Sequence, residues 1–459
     1  MKKEYLISFL TLSFVILTIT GTTQAGTADA KYEINEQSIC TLPQDMLRKD
    51  ISDKGFHFAY TARKDKQQMI FENGQPGEVY DYINFLTFSS DGSRFAYAAC
   101  NDNKWFMVVD DKPQLQPQYD AIREIKFSPD GKRLAYAAKD GKQYFFVIDG
   151  KPEIPCKEFG RHTLTFSPDS SRTFYVIRTE DWQIVCDGKP IPEYNRFNYM
   201  AFSPDSKQFV FAALKDKKWF AVIDGRPKEK YDKFGKDGFV FSPDSKHIAY
   251  SAQQGDKYFV ILDDKSSVAY DQIVNGTLTF SPEGNHLAYA AKKADGYCIV
   301  LDGKEGPVYD NIGSLTFSPD GKKLVHTAEK DKQRYVIDNN EPGPAFDGIS
   351  QPGAAFSPDG EKLVYVGRKD KIYYVVTNGE SSPSYDGAIL PVFSPDSKHM
   401  VYIASENKKY FAVVDGEPGP QYDNILQGGP IVQDDGTTEY LAMKDKTIYR
   451  VKHTPRKEQ

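Results

Sequence analysis

Imidazole titrates near neutral pH and ligates metals, so the seven histidines of this 459-residue chain are the first residues to test for chemistry. Four of them, His57, His247, His286 and His399, lie six residues after an apolar anchor (Ile51, Phe241, Phe280 and Phe393). Other segments carry Arg94, Arg133, Arg172 or Lys323 at that place. A position that recurs serves the repeat, so these four are expected on solvated strands, not as metal ligands. His326 stands where Tyr136, Tyr250 and Tyr289 stand elsewhere, and is expected to be a hydrogen-bonded core filler. The aspartates are also periodic. Asp149, Asp187, Asp224, Asp302 and Asp415 open Asp-Gly turns, while Asp120, Asp232, Asp271, Asp310 and Asp423 follow a recurring Tyr. Their carboxylates suit backbone N–H groups of tight turns. Cys40, Cys100, Cys156, Cys186 and Cys298 show no CxxC spacing. They are expected as isolated thiols, with Cys156 and Cys186 the pair to test for a disulfide. No DxDxDG loop, GxSxG elbow, P-loop or HExxH occurs, so no catalytic residue, metal or cofactor is assigned.

The elements that carry these residues form a tandem repeat. A phrase of Phe-Ser-Pro-Asp-Gly/Ser, a polar pair and an apolar-Ala-Tyr strand starts at Phe88, Phe127, Phe166, Phe202, Phe241, Phe280, Phe317, Phe356 and Phe393. Weaker copies start at Ile51 and Val432, which makes eleven copies with spacings of 36 to 39 residues. Within one period a strand ending in Phe127 meets the Pro129-Asp130-Gly131 turn, then an Ala-rich strand, a Lys/Asp hairpin and an aromatic strand to Ile148. Asp149-Gly150 turns the chain again before a Tyr-Asp-x-Ile phrase opens the next copy. Four short strands per period of about 38 residues spell one blade of a β-propeller, because such a sheet buries both faces only between neighbours. The spacing predicts an all-β fold, with one large ring favoured and two smaller rings the alternative. Residues 42–47 are expected to complete the last copy, which lacks its fourth strand.

The phrase Phe-Ser-Pro-Asp-Gly-Lys-x-Leu-Ala-Tyr resembles the WD40-like repeat of TolB-type β-propellers, which are bacterial periplasmic proteins. It is also similar to the propellers that cap prolyl-oligopeptidase-type enzymes. The resemblance covers residues 43–453 and implies the fold and a protein-binding role. The copy number exceeds the usual six of TolB, and no extra N-terminal domain of the TolB kind is seen.

Lys2 and Lys3 precede an uncharged run from Leu6 to Thr20, followed by small residues. That order reads as an export signal, residues 1–25, cleaved after Ala25. A lead segment 26–42, the array 43–453 and a tail 454–459 follow. The expected location is periplasmic or secreted, with no transmembrane segment in the mature chain. A net charge of −6 argues against a nucleic-acid partner, and 14% aromatic residues argue against disorder.

Two functions are weighed: a non-enzymatic protein-interaction scaffold in the cell envelope, and a carbohydrate-binding propeller or a hydrolase or lyase with a loop-built site at the axis. The copy from Cys156 to Tyr199 deviates most from the repeat. Its Arg161, His162 and Trp182 are the candidate binding residues, whereas Trp105 and Trp219 are expected in the core. Lys-rich hairpins such as Lys215 to Lys218 and the Tyr-Asp phrases are expected to give one face mixed charge and exposed aromatic rings.

Overall fold

The computed structural model describes residues 31–456 apart from 44–45, 52–56, 192–193, 195, 390 and 427. The expected export signal, residues 1–25, lies outside the described residues. With blades numbered 1 to 11 in chain order, blade 1 beginning at Met46, blade 3 shows how the repeat folds. Strand a (Ala121–Phe127) pairs with strand b (Leu134–Asp140), b with strand c (Gln143–Ile148), and c with strand d (Lys151–Pro152), all antiparallel. The turn between a and b is built by side chains. Ser128 Oγ donates to Asp130 Oδ1 at 2.6 Å, that oxygen accepts the Lys132 N–H, and Ser128 Oγ accepts the Arg133 N–H. Asp149 and Gly150 both have positive φ (50° and 76°), the two-residue turn whose twist suits a hairpin.

Both faces of strand b are buried, with Ala135, Ala137 and Ala138 each no more than 1% exposed. Small side chains there let twisted sheets approach closely. Eleven such sheets follow one another, and eleven apolar clusters fill the seams between them. One of these clusters joins Leu426, Leu441 and Ile448 of blade 11 to Phe58, Tyr60 and Ala62 of blade 1. The array therefore closes as one ring. First strands of neighbouring blades approach each other, which places strand a at the axis.

Closure differs from the expectation in its place. The fourth strand of blade 11 is Tyr32–Thr41, which pairs with Thr447–Pro455 from Tyr32↔Pro455 to Thr41↔Thr447. Residues 42–47 instead lead into Met46–Ile51, strand a of blade 1. The alternation of Tyr32, Ile34 and Glu36 explains the choice: Tyr32 and Ile34 join the seam between blades 10 and 11, while Glu36 accepts the Tyr422 hydroxyl.

The recurring basic position is partly solvated, as expected for His247 and His286, and where it is arginine it also forms an interblade clamp. Arg133 Nε donates to Asp149 Oδ2 at 2.8 Å, and its Nη1 donates to the carbonyls of Ser170 and Ser171 in the next blade. Its guanidinium also lies over Phe166. Arg94 and Arg172 repeat the arrangement. In blades 6, 7 and 10 the histidine takes over, with His247, His286 and His399 Nδ1 at 2.5, 2.7 and 2.7 Å from the matching turn aspartate. These His–Asp pairs reproduce the Arg–Asp bond within the blade and not the donation to the carbonyls of the next one. Two charged hydrogen bonds into the next blade are worth about 2 kcal/mol. Arg133→Met is accordingly expected to lower the unfolding free energy measured in urea by that order, while Lys132→Met, at an exposed site, leaves it unchanged.

The turn also explains why some copies read Ser-Pro-Asp-Ser where others read Ser-Pro-Asp-Gly. The last residue has positive φ, 70° at Gly131 and 66° at Ser170. Serine costs about 1 kcal/mol there. Offsetting this, Ser170, Ser206, Ser245 and Ser397 Oγ each accept the backbone N–H of the aspartate one blade earlier, Asp130, Asp169, Asp205 and Asp359.

The aspartate after the recurring Tyr bonds backbone N–H groups as expected, but not in its own turn. Asp120 accepts Lys104 Nζ of blade 2 and the Gly141 N–H of the blade 3 hairpin, both at 2.7 Å. Asp232 and Asp423 do the same, and these partners hold all three carboxyls below the usual range, the lysine contributing most. The preceding rings are not displayed on the face: Tyr80, Tyr119, Tyr231, Tyr270 and Tyr422 are buried in the seams.

All five cysteines are free. Cys156 packs in the seam between blades 3 and 4, and Cys186 against the seam between blades 4 and 5. They sit on opposite sides of blade 4, so they do not pair. His326 is buried as expected, but its Nε2 has no hydrogen-bond partner.

The seam that closes the ring carries a polar network beside its apolar cluster. Strand b positions such as Ala135, Val325 and Val364, fully buried and apolar in other blades, are matched in blade 11 by Glu439. Glu439 bonds Arg450 at 2.9 Å and Lys452 at 3.3 Å along a cleft of about 440 Å³. Glu439 is 10% exposed while both cations keep nearly half of their side-chain surface in water, so removing the cations leaves a nearly buried carboxylate unpaired. The double variant Arg450→Met/Lys452→Met is expected to melt lower than the parent in a thermal scan.

Candidate functional site

Strand a in most blades is interrupted midway, and there the sequence stops repeating. In blade 3 the register with strand b shifts between Arg123 and Lys126, with Glu124 at φ 56°. In blade 4 the strand breaks into Glu158–Phe159 and Thr165–Phe166 around a turn, in which Thr163 Oγ1 donates to the Gly160 carbonyl and accepts the Val176 N–H. The turn projects Arg161 and His162 from the wall at the axis, His162 with φ 59°. Both side chains are exposed.

Under them lies Glu124, which the sequence did not single out. His162 Nδ1 is 3.7 Å from Glu124 Oε1, the imidazole 91% exposed and the carboxylate 15%. Burial raises the Glu124 carboxyl above its ordinary value, while His162, Lys126 and Arg161 act against that rise. Lys126 Nζ donates to the Leu164 carbonyl, and burial lowers its ammonium. His162 and Arg161 thus place an imidazole and a guanidinium above the Glu124 carboxylate at the axial wall. Blades 6 and 7 repeat the scheme without the cations, Asp237 accepting the Gly276 N–H. The signal available in the sequence was position: Glu124 and Lys126 fall where strand a departs from the repeat.

Trp182 does not join Arg161 and His162. It lies at the hairpin end of strand c in blade 4 (Trp182–Cys186), beneath the Arg178 guanidinium, at the rim of a cleft of about 450 Å³. Trp219 is not in the core as expected; it is half-buried and lines the same cleft. Among the described residues, no group of three His, Cys, Asp or Glu side chains is placed to hold a metal ion. No helix of the described residues is long and apolar enough to cross a membrane.

Four-stranded antiparallel blades, an axis lined by strand a and a last blade completed by the N-terminal strand define a β-propeller with eleven blades in one ring. No family model and no curated protein matches the sequence. Among solved structures the chain is similar to a eukaryotic initiation factor, at 13% identity and TM-score 0.41 over 79% of this chain and 98% of that one. It is also similar to TolB from Acinetobacter baumannii, at 15% identity and TM-score 0.26 over 62% and 77% of the two chains. A third is the Cps50 (Swd1) β-propeller domain of Myceliophteria thermophila, at 12% identity and TM-score 0.27 over 54% and 96%. The assignment to the propeller class rests on the blades themselves.

Proposed function

We propose that this protein is an exported interaction scaffold of the cell envelope, which binds a protein partner through the wall of its axial opening. The observation that carries this reading is the division of labour along each blade. Clamps and staples recur from blade to blade and hold the frame, whereas the interrupted stretch of strand a differs in every blade and faces the opening. A frame that fixes a ring of variable side chains on rigid elements is suited to recognition. Arg161 and His162 supply donors for an acidic group of the partner, and Glu124 orients the imidazole from below. Export is supported by the basic, apolar and small-residue order of residues 1–25.

Immobilised mature protein incubated with envelope extract tests the reading. The parent is expected to retain a partner that Arg161→Glu/His162→Ala does not. Retention of no partner, or equal retention by both proteins, would count against it. Export is checked separately by N-terminal sequencing of the fractionated protein, which is expected to begin at Gly26; an intact Met1 in the envelope fraction would contradict it.

A further inference from the structure

The seam between blades 4 and 5 departs from the others at its hairpin end. Trp182 and Trp219 occupy matching places, each pairing with the end of strand b: Arg178↔Trp182 and Leu214↔Trp219. In most other blades the residue opposite the aromatic is polar or charged, as in Lys139↔Tyr144, Lys292↔Tyr297 and Arg368↔Tyr373. Here it is Leu214. The residue after the recurring Tyr-Asp pair is small or neutral in many copies (Ala121, Gln272, Asn311, Gly387), and here it is Arg196. The sequence also places Asn at 195, outside the described residues, where other copies carry the stapling aspartate.

These departures converge on one feature. Trp182, Trp219, Phe197, Leu214 and Arg196 together line the cleft of about 450 Å³. That volume lies within the range of small-molecule sites. Arg196 is exposed; its carbonyl accepts the Leu214 N–H, and its guanidinium has no ion pair or hydrogen bond among the described residues. The cleft is shallow and open to the hairpin face, with indole walls contributed by two adjacent blades. Trp182 already carries a guanidinium on its ring, with Arg178 5.7 Å from the centroid.

From this combination we infer that the cleft binds a carboxylate-bearing pyranose, a uronic-acid unit of an acidic glycan. The apolar C–H face of the sugar ring lies against an indole, its hydroxyls stay in the open side of the cleft, and its carboxylate takes the two-pronged hydrogen bond that an arginine offers. A neutral sugar would leave Arg196 unused. A wholly apolar ligand would bury the guanidinium without a partner, which is costly. The site is separate from the axial wall and does not depend on the protein partner proposed above.

Calorimetric titration of the mature protein with trigalacturonic acid is the test, with a neutral glucose trimer and a short acidic peptide containing one Trp as competitors. The acidic trimer is expected to bind and the neutral trimer to bind about tenfold more weakly or not at all. Arg196→Gln is expected to weaken the acidic trimer about tenfold. Trp219→Tyr, which restores the commoner residue of the repeat and so keeps the fold, should weaken it as well. The same change in another blade, Trp105→Tyr, should leave binding unaltered. No heat with the acidic trimer, equal binding of the neutral trimer, preference for the peptide, or binding that survives both cleft variants would each overturn the assignment.

Discussion

Mature protein lacking the closing strand, residues 26–41, is expected to lose the cooperative melting of the parent and to be cut rapidly by protease. The strand supplies the whole fourth edge of blade 11, pairing from Tyr32↔Pro455 to Thr41↔Thr447. It also fills two seams. Tyr32 and Ile34 pack between blades 10 and 11, and Ile39 and Cys40 between blades 11 and 1. The Tyr32 hydroxyl donates to Asp415 Oδ2, and the Tyr422 hydroxyl donates to Glu36. Each large apolar side chain removed from water contributes roughly 1.5–3 kcal/mol, so the loss exceeds ~5 kcal/mol, of the order of a whole domain's stability. A synthetic peptide of residues 31–42 added in trans should restore the melting transition. A truncated protein that melts like the parent would show that the ring is held without this strand.

Acid is expected to destabilise the fold well above the carboxylate range, through His326 and His453. His326 sits among buried strands of blade 8, edge-on to Tyr309 at 5.5 Å, and desolvation lowers its imidazole to about 4. His453 lies in the closing blade, 3.0 Å from the Tyr440 hydroxyl and beside Tyr32, and desolvation lowers it to about 4 as well. A histidine whose folded-state pKa lies below its unfolded value of about 6.5 binds its proton first in the unfolded chain. Stability from these two groups is therefore complete above pH ~6.5 and declines as pH falls toward about 4, by up to ~3 kcal/mol for each group. The sites lie in different blades, so the effects should add. Chemical denaturation at pH 7 and pH 5 is expected to show the loss, and His326→Tyr/His453→Gln to remove most of it. His326→Tyr restores the residue other copies carry, and His453→Gln keeps a partner for Tyr440. Identical pH profiles for parent and double variant would contradict the assignment.

The turn chemistry explains how much of this architecture the sequence discloses. Ser-Pro-Asp-Gly, Asp-Gly and the Lys/Asp hairpins act over two to five residues, so their order gives strand number and blade count directly. Clamp partners escape such a reading because they lie in the next blade: Arg172 reaches the carbonyls of Ser206 and Lys207, 34 and 35 residues away. A separation of 21 residues hides the staple from Asp120 to Gly141 in the same way, and packing against the neighbouring blade hides the burial of the Tyr-Asp rings. The closing strand is masked by its lack of the repeat's phrase; only the alternation of Tyr32, Ile34 and Glu36 betrays it. At the candidate sites, departure from the repeat marks Arg161, His162 and Trp182, but spatial grouping does not follow chain order. Strand a carries the first two to the axis, and strand c carries Trp182 to the hairpin end beside Trp219.

The number and closure of the blades bear on every other conclusion, and electron-microscopy class averages of the mature protein viewed down its axis test them most directly. The account predicts a single ring of eleven wedges around an open centre, with the blade that joins both chain ends in continuous contact with its two neighbours. Two smaller rings, an open arc or a different number of wedges would contradict it.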